Sequence, residues 1–321
     1  MSANGAAGAA SPEVRILGAR AHRIGSIEEV MVTIGAQPNE PMSRHTTLHI
    51  GGPADWYLEA ETIDDIAVAR ILARSRELPV VLIGNGSNIL VGDLGIRGLV
   101  IKPSAGLATI TDIGTGLLQV GAGVRLPELA RYFREEGVGG MEWGFGVPGC
   151  VGGGIFMNAG TRDGEMKDVV ESVIIVGRGG RAEELPAAEC GFAYRTSRFQ
   201  RTGEIIGGAI VRLPDKPYDP EKARRALDDR KKSQPLQMPN CGSVFTNPPG
   251  DYAARLMEEC GLKGRTVGGA QISKLHANFI VNLGNATARD VCALMDIAAR
   301  EVKQKFDIDL HSEVRKVGEF S

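Results

Sequence analysis

From Gly144 to Gly160 the chain reads Gly-Phe-Gly-Val-Pro-Gly-Cys-Val-Gly-Gly-Gly-Ile-Phe-Met-Asn-Ala-Gly, seven glycines in seventeen residues. Glycine lets a backbone lie directly against a ligand, but each one loses more conformational entropy on folding than any other residue, so this density implies a purpose. A second glycine turn, Ile-Gly-Asn-Gly-Ser-Asn-Ile-Leu at 83–90, follows the apolar run 80–83. Two such loops suggest backbone N–H groups gathered around an anion, and a nucleotide-type cofactor is the expected guest.

Gly144, Gly146 and Gly149 satisfy G-x-G-x-x-G, with Asp168 downstream in the manner of a ribose-binding acid. That dinucleotide fingerprint works only where a strand enters the turn and a helix leaves it. Here Pro148 occupies the turn and Gly152-Gly153-Gly154 is a poor helix opening, so the stretch is read as an extended wall lying flat against a long ligand. Its structural alternative is a tightly packed chain crossing. For Gly84-Asn85-Gly86-Ser87-Asn88 the alternative is a hairpin turn, which Asn-Gly favours. Paired with the other loop, its N–H groups and the Ser87 hydroxyl are expected to face a pyrophosphate.

At 321 residues the chain exceeds the usual size of a single core, and 43% hydrophobic residues are ample for two or three lobes. A net charge of −2 without like-charge blocks points away from nucleic acid and membrane surfaces and towards a small-molecule partner. The five cysteines (Cys150, Cys190, Cys241, Cys260, Cys292) are scattered, with neither zinc-site nor disulfide-framework spacing. No metal site is expected, and a reducing cytoplasm suits them. The first residues lack the apolar core of a secretory signal, and no apolar run approaches the ~20 residues of a membrane span. Residues 1–20 are read as a disordered tail.

Along the chain, Gly51-Gly52-Pro53 turns into a strand at Trp56-Tyr57-Leu58, and Thr62 caps a helix whose apolar positions are Ile63, Ile66, Ala67 and Ile71. Short strands are expected at 80–83, 89–91 and 99–102, then a helix from Pro127 to about 136. A hairpin over 169–185 and a buried strand at 205–213 follow. Pro214, Pro217 and Pro220 mark a connector. Beyond them come helices near 221–232, 251–260 and 287–306 and strands at 277–283 and 308–317. The irregular order of strands and helices predicts an α+β fold rather than a doubly wound sheet.

Several motifs occur in order: His45-Thr46-Thr47 before Ile50-Gly51-Gly52-Pro53-Ala54, the 84–90 turn, Val147-Pro148-Gly149 through Met157-Asn158-Ala159-Gly160, Tyr194-Arg195-x-Ser197-x-Phe199, Gly242-Ser243-Val244-Phe245-x-Asn247-Pro248, and Glu313-Val314-Arg315 with Gly318. Over residues 43–318 the sequence resembles the UDP-N-acetylenolpyruvoylglucosamine reductase family. The short link from Phe199 to Gly242 resembles its second type, which lacks an inserted substrate-covering segment. The sequence departs at Cys150, where Ser or Thr is usual, at Cys241, where Ala is common, and at Thr161-Arg162-Asp163.

The resemblance implies a two-lobed FAD-binding domain of the vanillyl-alcohol oxidase-like (PCMH) type over 21–214 and a smaller α+β substrate-binding domain over 215–321. It implies that NADPH reduces non-covalent FAD. The flavin then passes hydride to the enolpyruvyl ether of UDP-N-acetylglucosamine enolpyruvate, giving UDP-N-acetylmuramic acid for peptidoglycan. The enzyme is expected to be a cytoplasmic monomer or weak oligomer. Cofactor contacts are expected from Gly84, Asn85, Gly86, Ser87, Asn88, Gly146, Pro148, Gly149, Cys150, Gly153, Asn158 and Gly160.

Hydride addition leaves negative charge beside a carboxylate, so the protein must supply a cation and then a proton. Arg195 suits the first need because its planar fork grips a carboxylate through two hydrogen bonds; otherwise it is a surface ion-pairing residue. Ser243 matches the family's proton donor, against a reading as a turn cap; Cys241 is a rival thiol. Glu313 is assigned to the flavin edge, with Arg315 tuning it, against a solvated strand face on which it alternates with Ile308, Leu310 and Val314. Tyr194, Lys231 (within Arg230-Lys231-Lys232), Asn247 and Arg315 are the expected substrate contacts. The alternatives are another FAD-dependent oxidase or dehydrogenase of the same cofactor fold, and a non-catalytic nucleotide-sugar-binding protein.

Overall fold

The structure, a computed structural model, describes residues 25–321, so the tail expected over 1–20 and the first residues of the segment beginning at 21 lie outside the described residues. The backbone forms two compact units. The first contains the described residues through Pro38, then Trp56–Gly84 and Gly98–Ala226; the second contains Asn39–Asp55, Asn85–Arg97 and Leu227–Ser321.

This grouping interleaves along the chain, unlike a single cut at 214/215. Ile89–Val91 pairs in parallel with Arg315–Val317. The Asp93 carboxylate accepts the N–H groups of Ala288 (2.7 Å) and Arg289 (3.0 Å), where the helix Ala288–Phe306 begins. Leu48, Ile50 and Leu90 are buried in one core with Val291, Leu294 and Ala298. These bonds draw the early segments into the second unit. The proline-rich segment is likewise fastened to the first unit rather than loose: Tyr218 N donates to Gly137 O (2.9 Å), Gly139 N to Lys216 O (2.7 Å), and Asp219 N to Glu142 Oε1 (3.2 Å).

In the first unit, Thr62 forms a capping box with Asp65 at the start of the helix Ile63–Ser75. Its buried face, with Ile66, Ala67 and Leu72, packs on Trp56, Leu58, Leu99 and Ile101. Those residues come from the sheet containing Pro53–Ala60, Ile96–Pro103 and Val80–Leu82, the last two paired in parallel. A second, antiparallel sheet has the order Ala182–Pro186, Val170–Val176, Ile205–Arg212, Leu117–Gly121, Ile110–Gly114. Its first two strands are the expected hairpin. Leu126–Glu135 and Val151–Met157 share its core, where Val120, Leu129, Phe133, Trp143, Ile155 and Ala209 are buried.

The glycine-rich stretch corrects the sequence reading. It is mostly helical rather than extended: a 3-10 turn over Glu142–Gly146 and an α-helix over Val151–Met157 that runs straight through the triple glycine, with a short non-helical link at 147–150 between them. Glycine disfavours helix by about 1 kcal/mol per residue relative to alanine. Close packing overrides that preference. A β-carbon at Gly152 would sit 3.0 Å from the Ala122 β-carbon, and one at Gly154 would meet Met166 and Leu126 at 3.2 and 3.3 Å. Two N–H groups of the first turn are already used, Val151 N on Val124 O (2.8 Å) and Gly152 N on Ala122 O (2.9 Å). The dinucleotide fingerprint still fails, because a 3-10 turn and not a strand enters it.

The second unit has a four-stranded antiparallel sheet of order Asn240–Ser243, Phe279–Asn282, Ala270–Ile272, Thr266–Val267, backed by Ala253–Glu259 and Ala288–Phe306. The strand expected over 308–317 shrinks to Arg315–Val317. Before it the backbone pairs only at Ser312 with Phe245, an isolated bridge. The burial alternation breaks at 312–313: Val314 is buried, Ile308 and Leu310 pack on the core and His311 and Arg315 are exposed, but Ser312 is exposed and Glu313 half-buried.

Neighbouring glycines in one helix should therefore respond with opposite sign. Gly152→Val overpacks the sheet and should lower the stability of the flavin-free protein by about 1–3 kcal/mol. A β-carbon at Gly153 meets nothing within 4 Å. Gly153→Ala should accordingly raise stability by about 0.5–1 kcal/mol, both changes being read by urea titration.

Candidate active site

The helix Val151–Met157 ends at Asn158, whose left-handed backbone (φ 43°) stops it. Asn158 is fully buried and its side chain is spent within the protein. Its Nδ2 donates to Glu165 Oε2 (2.8 Å) and Ala193 O (3.1 Å), while Oδ1 accepts Lys167 N (3.0 Å). Any ligand contact from Asn158 must come from its backbone. Glu165 in turn accepts from Lys167 Nζ at 2.9 Å. Burial opposes ionisation of Glu165, yet hydrogen bonds from Lys167 and Asn158 and the charges of Lys167 and Arg195 outweigh it and hold the carboxyl below its ordinary range.

Ala193 and Thr196 exchange both backbone hydrogen bonds at 3.1 Å, closing a tight turn on Tyr194 and Arg195. Arg195 takes a left-handed conformation (φ 54°), which strains a residue with a β-carbon by about 1–2 kcal/mol. The conformation is held from several sides. Arg195 Nη2 donates to Gly160 O (3.0 Å), and Gln200 Nε2 donates to Arg195 O (3.1 Å) and Phe156 O (3.2 Å). The buried Ser197 hydroxyl also donates to Phe156 O (2.7 Å). The guanidinium carbon lies 5.2 Å from the Tyr194 ring centroid, and that ring is half exposed.

In the second unit the glycine turn, the Ser243 strand and the Glu313 segment are drawn together. Thr47 donates through its hydroxyl to Asn240 O (2.7 Å) and through its N–H to Gly86 O (3.2 Å). Gly86 has φ 65°, and a β-carbon there would overlap the His45 carbonyl. Gly242 (φ 78°) passes Ser87 O, which would lie 3.8 Å from an added β-carbon. Glu313 N donates to Val244 O (2.9 Å), Asn88 Nδ2 to Glu313 O (3.2 Å), and Arg315 N to Asn88 O (3.1 Å). The half-buried Ser243 and Glu313 thus hang on adjoining backbone.

The rival thiol is different. Cys241 is buried in the core, and burial pushes it up to about 12.

The other expected contacts divide by unit. Gly84, Gly146, Pro148, Gly149, Cys150, Gly153 and Gly160 lie with Arg195 in the first; Asn85, Lys231, Asn247 and Arg315 lie with Ser243 in the second. Gly84 is held close to Cys150, whose sulfur would be 2.8 Å from an added β-carbon. The Asn247 carbonyl oxygen accepts Ala253 N (3.1 Å), so that end of its side chain fastens a helix. In the basic run Lys231 is exposed, and burial lowers the proton affinity of Arg230.

The glycine loops suit a long anionic cofactor. Among the described residues the N–H groups of Gly86, Ser87 and Asn88 have no hydrogen-bond partner, leaving three successive donors for an anion. The exposed Gly153 presents bare backbone with open space where a β-carbon would stand. Taken separately, the donors suit the phosphates of FAD and the bare backbone suits a flat group of it.

The class is that of a flavin-dependent oxidoreductase: the FAD binding domain family model matches residues 54–185. The model for the UDP-N-acetylenolpyruvoylglucosamine reductase C-terminal domain matches residues 234–317. UDP-N-acetylenolpyruvoylglucosamine reductase 2 of Symbiobacterium thermophilum is 45% identical over 278 residues, covering 86% of this chain and 90% of that protein. The corresponding reductase of Anaeromyxobacter sp. is 46% identical over 286 residues, covering 87% and 88%. The solved reductase of Thermus caldophilus superposes with a TM-score of 0.72 at 38% identity, covering 88% of this chain and 98% of that one. This chain belongs to the UDP-N-acetylenolpyruvoylglucosamine reductase family.

Glu165 and Gln200 went unread in the sequence, and Thr47 was read only as part of a motif. The spacing from Asn158 to Glu165 has no helix or strand period, because a two-strand hairpin pairing Gly160 with Glu165 intervenes. The lowered carboxyl gives a test. Glu165 contributes stability that is complete above the ordinary glutamate value of 4.5 and is lost as pH falls through its lower folded value. The stability advantage of the wild type over Glu165→Gln should therefore shrink on acidification, as followed by urea titrations at descending pH.

Proposed function

We propose that this protein is an NADPH-consuming, FAD-dependent reductase that converts UDP-N-acetylglucosamine enolpyruvate to UDP-N-acetylmuramic acid, the muramic acid precursor of peptidoglycan. The observation that carries this reading is the pairing of Ser243 and Glu313 on adjoining backbone in a chain of this family. Bound FAD would supply the hydride-carrying chemistry that links NADPH to the terminal carbon of the enolpyruvyl ether.

The protein's share is charge and protons. Arg195 grips the substrate carboxylate and stabilises the negative charge that develops beside it. Its left-handed backbone is held by the protein's own hydrogen bonds, so little ordering of this turn is left for the reaction. Ser243 supplies the proton to the neighbouring carbon, and Glu313, with Arg315, polarises the site. Tyr194, Asn247 and the cations of the 230–232 run hold the nucleotide sugar. Residues 21–214 serve the flavin and 215–321 the substrate, with Asn39–Asp55 and Asn85–Arg97 contributing from the second unit. We place the enzyme in the cytoplasm as a monomer or weak oligomer; all five cysteines are free thiols and no described helix is long and apolar enough to cross a membrane.

Anaerobic spectroscopy separates the two half-reactions. NADPH should bleach the flavin band, and UDP-N-acetylglucosamine enolpyruvate should restore it. Ser243→Ala should keep the first step and slow the second by about 10²–10⁴-fold, the range typical of a lost general acid. Cys241→Ala should leave both steps near wild type. Equal loss of both steps in Ser243→Ala would remove the proton-donor assignment.

A further inference from the structure

We propose that Glu165 is a positioning residue for Arg195, a fixed anion that aims the guanidinium through Asn158 and the Gly160 carbonyl. The inference rests on the carboxylate-binding role given to Arg195 above.

Four observations in one unit carry it. First, Arg195 sits in a strained left-handed conformation, so the turn from Ala193 to Thr196 needs outside support to hold it. Second, the support on Ala193 O is Asn158 Nδ2, and the same amide nitrogen bonds Glu165 Oε2 at 2.8 Å. Third, the guanidinium itself rests on Gly160 O, and Gly160 is the direct cross-strand partner of Glu165. A β-carbon at Gly160 would lie 2.8 Å from Glu165 Cγ, so the Glu165 stem runs against the strand that carries the anchoring carbonyl. Fourth, the carboxylate cannot swing away: Lys167 Nζ holds the same Oε2 at 2.9 Å, and Lys167 N is bonded to Asn158 Oδ1.

A neutral glutamine would fill the same volume and could still accept from Asn158. What it removes is the charge that the ammonium and guanidinium share. Without it, Arg195 keeps its own charge but loses the field that fixes where its fork points, and a bidentate grip on a carboxylate depends on that direction. The effect is therefore on ligands with a carboxylate and on the step that develops charge beside it, not on the flavin's encounter with NADPH.

The test uses the flavin-loaded enzyme and Glu165→Gln, with Glu165→Asp as a milder, charge-retaining companion. Flavin content should match wild type, and every measurement is made well below the somewhat lower melting temperature expected of Glu165→Gln. Calorimetry should show affinity for UDP-N-acetylmuramate reduced about tenfold in Glu165→Gln, as for a lost charged hydrogen-bond network, with affinity for UDP unchanged. Reoxidation of the reduced enzyme by substrate should slow by about tenfold or more while reduction by NADPH stays within about twofold. Glu165→Asp should fall between glutamine and wild type in both measurements.

In an Arg195→Ala background, Glu165→Gln should add less than about twofold, because its effect has no other route. A further full-sized loss in that background, or equal weakening of UDP and UDP-N-acetylmuramate, would overturn the proposal. So would a Glu165→Gln enzyme with normal product affinity beside an impaired Arg195→Ala, which would leave the role of Arg195 standing. An Arg195→Ala enzyme with normal reoxidation would remove that role and the proposal together.

Discussion

In the first unit, a helix whose Gly152 and Gly154 carry no side chain towards their packed neighbours fixes where the turn bearing Arg195 stands. Val151–Met157 can approach Ala122 and Val124 closely enough to donate backbone hydrogen bonds to them because Gly152 and Gly154 leave the interface bare. A helix so fixed ends at a fixed place. Asn158, at that end, passes the position on to Ala193 and Glu165, and through them to the turn bearing Arg195. The placement of a guanidinium thus traces back to missing methyl groups many residues away. The dense interior makes this chain of contacts stiff, since packed side chains and buried hydrogen bonds have few other arrangements.

The second unit reaches the same end by different means. There no glycine helix sets the geometry; three strand-like segments are sewn together by single hydrogen bonds from Thr47, Asn88 and Glu313. Thr47 and Asn88 bond through their side chains and Glu313 through its N–H, and every acceptor is a backbone carbonyl. Asn247 shows the contrary case, its oxygen committed to the start of a helix. The buried Cys241, two residues from Ser243, belongs to the core.

Much of the fold was legible because local chemistry decided it. Thr62 announced its helix as a cap, and the hairpin turn after Val176 and the strand at Ile205 followed from glycine punctuation and apolar runs. The order of motifs identified the family and the three residues assigned to chemistry. What failed did so where tertiary contacts reversed a local preference. The triple glycine reads as helix-breaking until the sheet beneath it is known, and 308–317 reads as one strand although only Arg315–Val317 finds a partner. The supports of Arg195 were hidden for another reason. Glu165 and Gln200 act through a hairpin and a short helix whose register no periodicity in the sequence records.

The interleaving of the two units bears on the order in which the molecule can be made. Asn88 bonds Glu313 across a sequence separation of 225 residues, and Leu48, Ile50 and Leu90 share a core with the helix Ala288–Phe306. At about 5–20 residues per second, a ribosome holds those early segments without partners for on the order of ten seconds or more. By then every segment of the first unit has been synthesised. Unit 2 is therefore the last to close, with apolar strand edges waiting for a carboxyl-terminal third that arrives late, and growing chains are most exposed to aggregation or to exchange with a neighbour in that interval.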